Sequence, residues 1–171
     1  MVSTTGGGRI VANRGPYSGT SRSCKGRVSE RLVRGEAMTP VPVTLVSAAA
    51  CVLLNNWLGA RISAFRKQFR VSIGDGGHEP LLRRMRAQAN FIEHAPFVLI
   101  LLGALEISGA RRIALAAIAF LFIAARILHG LGMDSADRQR LRAIGMISSS
   151  LVTLTLILWA LADGLAFWLG R

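Results

Sequence analysis

The sequence predicts an all-α integral membrane protein, folded as a bundle of four membrane-spanning helices. Of its 171 residues, 51% are hydrophobic and only 18% are charged, which is more apolar than an ordinary soluble domain. The apolar residues also gather into four stretches of about 20 residues, the length that an α-helix needs to cross the hydrocarbon core of a bilayer. Length and composition together therefore favour a small membrane bundle.

The first 37 residues precede these stretches and are predicted to be a disordered basic tail. They combine glycine, serine and threonine with seven basic residues and have no hydrophobic periodicity. They also lack the apolar core and small-residue cleavage site of a secretory signal. We therefore expect the membrane domain to occupy residues 38–171 and translation to begin at Met38, which the mass of the intact purified protein would test.

The first predicted span runs from Thr39 to Ala60 without a formal charge. Trp57 lies near its far end, where an indole ring favours the membrane interface. A basic helix end follows, and the segment Gly74–Gly77 then predicts a turn, because three glycines in four positions oppose helix. A phosphate-binding loop is disfavoured there, since the lysine and hydroxyl residues of that motif are absent.

Three further spans follow this turn. The tight connection Ser108–Arg112 makes the second and third spans antiparallel neighbours, and a short polar loop separates the third from the fourth. The predicted bounds are Ala87–Leu105, Ile113–Met133 and Ala143–Ala162.

The formal net charge of +12 arises from basic residues in the tail and in the loops between apolar runs. This is the usual pattern of a membrane protein, so the charge does not indicate nucleic-acid binding. Without the tail, the first and third connections with their flanking residues carry ten Lys and Arg, against three on the other side. The positive-inside rule therefore predicts an inner-membrane protein with these two connections in the cytoplasm. Cys24 and Cys51 show no metal-ligand spacing, and no metal site is predicted.

Two polar stripes interrupt the predicted spans. Arg86, Asn90 and Glu93 are spaced i, i+4, i+7 and share one face of the second span. Arg126 and His129 share one face of the third. An ionisable group at mid-bilayer costs at least about 2.5–3.5 kcal/mol, so a chain rarely keeps one without a partner or a polar ligand.

Both stripes approach the same membrane face in the four-span topology, and Arg142 begins the fourth span at that depth. Arginine side chains suit carboxylates and phosphates, while glutamate can accept from an ammonium group. The set fits a small zwitterionic ligand with several carboxylates, such as glutathione. The alternative that stays open is that Glu93 and Arg126 pair only to hold the helices together.

The segments that carry these residues resemble the signature of the MAPEG family, membrane-associated proteins in eicosanoid and glutathione metabolism. The core pattern Arg-x-x-x-Asn-x-x-Glu-x-x-Pro is met by Arg86, Asn90, Glu93 and Pro96. The segments Ala125–His129 and Leu141–Gly145 are similar to the third-helix motif and the fourth-helix entry of the family. The resemblance covers about residues 38–169 and is of the bacterial type.

The resemblance implies a four-helix protomer assembled as a homotrimer, with glutathione bound between neighbouring subunits near the cytoplasmic side. A basic residue at the end of the first helix, Arg61 or Arg66, is expected to join the site. The residues that match the family's glutathione-binding positions are Arg86, Asn90, Glu93, Arg126, His129 and Arg142.

One departure from the family concerns catalysis. Family enzymes often carry tyrosines at the positions that Met133 and Met146 occupy here. Arg142 is then the expected catalytic residue, because a guanidinium can stabilise the glutathione thiolate electrostatically. We expect a protein that binds glutathione or a similar thiol and, if it is an enzyme, a membrane-bound transferase that conjugates it to lipophilic electrophiles. The alternatives are a non-catalytic lipid-binding scaffold of the same family and a structural membrane subunit.

Overall fold

The computed structural model describes residues 40–170, and these residues form four long α-helices. The predicted tail at residues 1–37 lies outside the described residues. The helices are α1 (Pro42–Phe69), α2 (Glu79–Ile107), α3 (Arg112–Gly132) and α4 (Gln139–Trp168), with a short 3-10 turn at Ala136–Arg138 before α4. Each of the four is long and apolar enough to cross a membrane, so the predicted all-α, four-span class is confirmed.

Three of the four helices extend beyond the predicted spans, whereas α3 nearly coincides with its own. α1 continues to Phe69 through the predicted basic helix end. α2 begins at Glu79 rather than near Ala87, and α4 ends at Trp168 rather than at Ala162. The prediction followed the apolar residues, whereas helical hydrogen bonding continues past the hydrocarbon core into the interface. Both helices therefore carry polar residues on turns that lie outside the predicted spans.

The predicted turn between the first two spans is confirmed. Gly74, Gly76 and Gly77 have φ angles of +73°, +56° and +78°, a region that residues with a side chain rarely adopt. Arg66 at the end of α1 stabilises the turn, because its Nη2 donates to the carbonyl oxygen of Gly74 at 3.1 Å. The turn brings α2 back antiparallel to α1.

The closest packing in the bundle is between α3 and α4, and small residues permit it. A Cβ placed on Gly145 of α4 would lie 2.6 Å from both the carbonyl oxygen of Ala125 and the backbone nitrogen of His129. Gly132 approaches the backbone of Arg142 in the same way. The backbones of α3 and α4 are therefore in contact at the positions of His129 and Arg142.

The α1 and α2 helices are tied together by polar contacts inside the bundle as well as by apolar packing. Gln88 Nε2 donates to Asn55 Oδ1 at 3.2 Å near the middle of α1. The buried apolar core runs along the whole bundle and includes Leu58, Val98, Leu102, Leu115, Phe122 and Leu156.

Glu106, near the end of α2, is a buried carboxylate that the sequence did not single out; it is only 6% exposed. The backbone N–H groups of Val43 and Thr44 donate to its two oxygens at 3.0 and 2.9 Å, and the Thr44 hydroxyl donates to Oε2 at 2.8 Å. These N–H groups belong to the first turn of α1, where helical N–H groups have no partner within the helix. Glu106 therefore caps α1 from the neighbouring helix.

Candidate ligand-binding cleft

A cleft of about 210 Å³ lies at the end of the bundle that carries the α1–α2 and α3–α4 connections; we call it the polar cleft. It is lined by Arg86, Asn90 and Glu93 from α2, His129 from α3 and Arg142 from α4. Five of the six predicted site residues therefore lie together in the protomer. All three residues of the predicted α2 stripe line the cleft, whereas His129 is the one residue of the predicted α3 pair that does so.

Arg126, the sixth predicted site residue, lies beneath the cleft and does not line it. Its side chain is only 3% exposed, and its Nη1 donates to Asn90 Oδ1 at 2.5 Å. A guanidinium group has only donors, so it must face the oxygen of the Asn90 amide. The amide nitrogen of Asn90, with its two donors, is then left for the cleft. Arg126 is therefore a positioning residue for Asn90.

The ion pair between Glu93 and Arg126 that the sequence left open is not formed within residues 40–170. Arg126 bonds instead to Asn90, one turn earlier on α2, and Glu93 is exposed. The rotation of α2 about its axis explains the difference, because Asn90 rather than Glu93 faces α3. The carboxylate of Glu93 remains available to a ligand or to a neighbouring molecule.

Arg61 and Arg66, the two basic residues expected from the end of α1, do not line the polar cleft of the protomer. Arg61 forms an ion pair with Asp134, which follows α3, and its guanidinium carbon lies 4.5 Å from the Trp57 ring centroid. Arg84 shares the same carboxylate, with Nε 3.2 Å from Asp134 Oδ1. These contacts fasten the end of α1 and the start of α2 to the α3–α4 connection.

Asp134 is a residue that the sequence analysis did not use. Its signal was a single carboxylate directly after an apolar span and close to several arginines. Its contacts hold the start of the α3–α4 connection in place. The residues on either side of it, Met133 and Ser135, line a second cleft of about 200 Å³. Arg142 and Met133 line this second cleft as well as the first, so Arg142 lies between the two.

Met133 and Met146 line the polar cleft at the positions where the resemblance places tyrosines. A thioether carries no proton and is only a weak acceptor, so neither side chain can do the work of a phenol. The one tyrosine of the sequence, Tyr17, lies outside the part of the chain that the structure describes. The cleft therefore combines charged groups that suit a zwitterionic ligand with two soft apolar walls.

Comparison with known proteins agrees with the four-helix membrane fold. The model of the MAPEG family matches residues 44–162. Inner membrane protein YecN of Escherichia coli strain K12 is 28% identical over 90 residues, which cover 53% of this chain and 69% of YecN. The YecN protein of Escherichia coli O6:H1 matches with the same identity and coverage.

Proposed function

Because the chain belongs to the MAPEG family, we propose that its polar cleft binds glutathione or a similar thiol peptide. The observation that carries this proposal is the convergence of Arg86, Asn90, Glu93, His129 and Arg142 on one cleft. Glutathione carries two carboxylates and one ammonium group, so it needs more cationic than anionic partners. The cleft offers two arginines and one glutamate, which matches that balance.

Four of the cleft residues have a role that follows from their chemistry. Arg86 and Arg142 can each donate two parallel hydrogen bonds to a carboxylate, and Glu93 can accept from the ammonium group. Asn90, oriented by Arg126, contributes its amide donors to the peptide backbone or to a carboxylate. The volume of about 210 Å³ holds only part of a tripeptide, and the adjoining second cleft or a neighbouring subunit would hold the rest.

Isothermal titration with glutathione in detergent tests the binding proposal. We expect saturable binding by the wild type and a 10- to 100-fold weaker affinity for Arg86→Gln, since a hydrogen bond to a charged group contributes about 1.5–3 kcal/mol. Arg111→Gln, the same change at the opposite end of the bundle, is the matched control and should bind as the wild type does. Absence of binding by the wild type, or equal affinities for the two variants, would contradict the proposal.

We further propose that the bound thiol is conjugated to a lipophilic electrophile that enters from the bilayer. The glutathione sulfur, as the thiolate, forms a carbon–sulfur bond with the electrophile, the leaving group departs with its electron pair, and the thiol proton passes to water. Arg142 would stabilise the thiolate, because this residue lines both clefts and its side chain forms no ion pair within residues 40–170.

A conjugation assay with 1-chloro-2,4-dinitrobenzene separates catalysis from binding. If the protein is a transferase, we expect turnover above the uncatalysed rate and a loss of about 100-fold in kcat for Arg142→Gln, the usual order for an electrostatic stabiliser. Arg111→Gln should keep full turnover. Equal kcat for the wild type and Arg142→Gln would exclude the proposed role of Arg142.

The second candidate function is a non-catalytic lipid-binding scaffold of the same family. Met133 and Met146 favour it, because they give the cleft apolar walls where a catalytic phenol is expected. The conjugation assay decides between the two, since a scaffold would show no turnover even where titration detects a bound ligand.

We also propose that the protein assembles as a homotrimer, as the family resemblance implies. Arg86 and Glu93 on α2 and Asn56 on α1 are exposed in the single protomer although they lie on helices that can span a membrane. Polar groups facing hydrocarbon are costly, and a neighbouring copy would remove them from lipid. Light scattering in detergent should give three times the mass of the single purified chain after subtraction of the detergent. A monomeric mass would contradict this proposal.

The orientation that we propose places the polar cleft at the cytoplasmic side of the inner membrane. The basic residues of the α1–α2 and α3–α4 connections support it, since cytoplasmic loops carry an excess of Lys and Arg. The similar protein YecN is named an inner membrane protein. A cysteine placed at Ser72, which is exposed in the α1–α2 connection, should react with an impermeant reagent only after the inner membrane has been opened.

A further inference from the structure

A groove of about 820 Å³ lies at the end of the bundle opposite the polar cleft, and we call it the terminal groove. It runs between the α2–α3 turn and the last turns of α4. Leu156 is the last buried residue of α4, yet the helix continues to Trp168, roughly three turns further. These last turns leave the bundle core uncovered on one side, which opens the groove.

The walls of the terminal groove suit an acyl chain. Its lining includes the small residues Ala104, Ala160 and Gly164 and the aromatic residues Trp159 and Phe167. The volume falls within the range of about 300–1,000 Å³ that small-molecule sites occupy. Because the groove lies at the end of helices that can span a membrane, it opens toward lipid, and aromatic side chains at this level favour the membrane interface.

The rim of the terminal groove carries one positive and one negative side chain. Arg111 and Asp163 both line the groove, both are exposed, and no ion pair joins them within the described part of the chain. The adjacent Arg112 is used differently, because its Nη2 donates to the carbonyl oxygen of Pro40 at 3.2 Å. A guanidinium is well suited to phosphate, and a carboxylate accepts from an ammonium group.

We infer that the terminal groove binds one phospholipid with a zwitterionic headgroup of the phosphoethanolamine type. Its phosphate lies at Arg111, its ammonium group at Asp163, and one acyl chain lies against Trp159 and Gly164. The charge pair selects the headgroup, while the small and aromatic lining residues bind the chain of any lipid. This site shares no lining residue with the polar cleft and does not depend on the glutathione proposal.

Native mass spectrometry tests the inference on protein reconstituted with equal amounts of phosphatidylethanolamine and phosphatidylglycerol and then released in mild detergent. The wild type should retain one phosphatidylethanolamine per chain in preference to phosphatidylglycerol. Asp163→Asn should reverse this preference in favour of phosphatidylglycerol. The variant keeps Arg111 for the phosphate of either lipid but has lost the carboxylate that accepts from the ammonium group of phosphatidylethanolamine. Arg111→Gln should reduce retention of both lipids by about tenfold.

Filling the groove gives a second, independent measurement. A Cβ placed on Gly164 meets no atom within 4 Å, so Gly164→Leu adds bulk to open space without disturbing the bundle. This variant should lose bound lipid, whereas Leu158→Phe, which adds bulk on exposed α4 surface outside the groove, should retain it. Equal retention of the two lipids by the wild type, or undiminished retention by Gly164→Leu, would overturn the inference. A change in the oligomeric mass of Gly164→Leu without loss of lipid would also overturn it, because a second copy would then occupy the groove.

Discussion

Gly145→Ala should destabilise the protein by about 2–3 kcal/mol, although it adds a single methyl group to a helix. The new Cβ would lie 2.6 Å from the Ala125 carbonyl oxygen and the His129 nitrogen, and 2.8 Å from the His129 Cα. All three atoms belong to the backbone of α3, so no side-chain rotation can relieve the contact. The helices α3 and α4 must separate, which would move His129 and Arg142 apart and weaken glutathione binding as well.

Gly164→Ala is the matched control for this prediction, because it makes the same change on the same helix in open space. Alanine is favoured over glycine within a helix by about 0.5–1 kcal/mol, so this variant should be neutral or slightly more stable than the wild type. Thermal unfolding in one detergent at one heating rate measures both variants. Similar midpoints for the two would show that the α3–α4 contact is not as close as the structure has it.

Asn90→Leu should destabilise the protein by about 2–3 kcal/mol, because it leaves the buried guanidinium of Arg126 without its acceptor. Arg126 is 3% exposed, and Asn90 Oδ1 is its one hydrogen-bond acceptor within residues 40–170. The Nε atom of Arg126 already has no partner there. In Asn90→Leu the buried Arg126 guanidinium can therefore be neither hydrated nor hydrogen-bonded to a second acceptor.

The double variant Asn90→Leu with Arg126→Met separates the stability effect from the binding effect. Replacing both partners by apolar side chains removes the unpaired charge, so most of the stability lost in Asn90→Leu should return. Affinity for glutathione should stay low, because the amide donors of Asn90 are still absent. Stability losses that simply add would show that Asn90 and Arg126 do not act as a pair.

The polar cleft could be predicted from the sequence to a large extent, because helical periodicity fixes which residues share a face. Arg86, Asn90 and Glu93 lie on one stripe in any α-helix, and the short turn after α2 brings His129 to the same end of the bundle. The partner of Arg126 could not be predicted in this way. A rotation of α2 by a fraction of a turn decides between Asn90 and Glu93, and only the packing of side chains between α2 and α3 fixes that rotation.

The contacts of Glu106 and Asp134 were beyond sequence reasoning for a different reason. Each carboxylate is a single residue at the end of a span, where an exposed, solvated side chain is the ordinary expectation. Their partners are far away in the chain: Thr44 is 62 residues from Glu106, and Arg61 is 73 residues from Asp134. The helices and their order could be predicted from the sequence. Which side chains of neighbouring helices meet depends on how far one helix is shifted along its axis relative to the next, and the sequence does not show that shift.

The cap that Glu106 provides has a consequence for how the chain enters the membrane. The N–H groups of Val43 and Thr44 receive their acceptor only after a further 62 or 63 residues have been synthesised. Until then α1 has an unsatisfied first turn, which is unfavourable in lipid. The α1–α2 hairpin, rather than α1 alone, is therefore the smallest unit in which these backbone groups are paired within the protein. We expect α1 to gain stability in the membrane once the end of α2 is present.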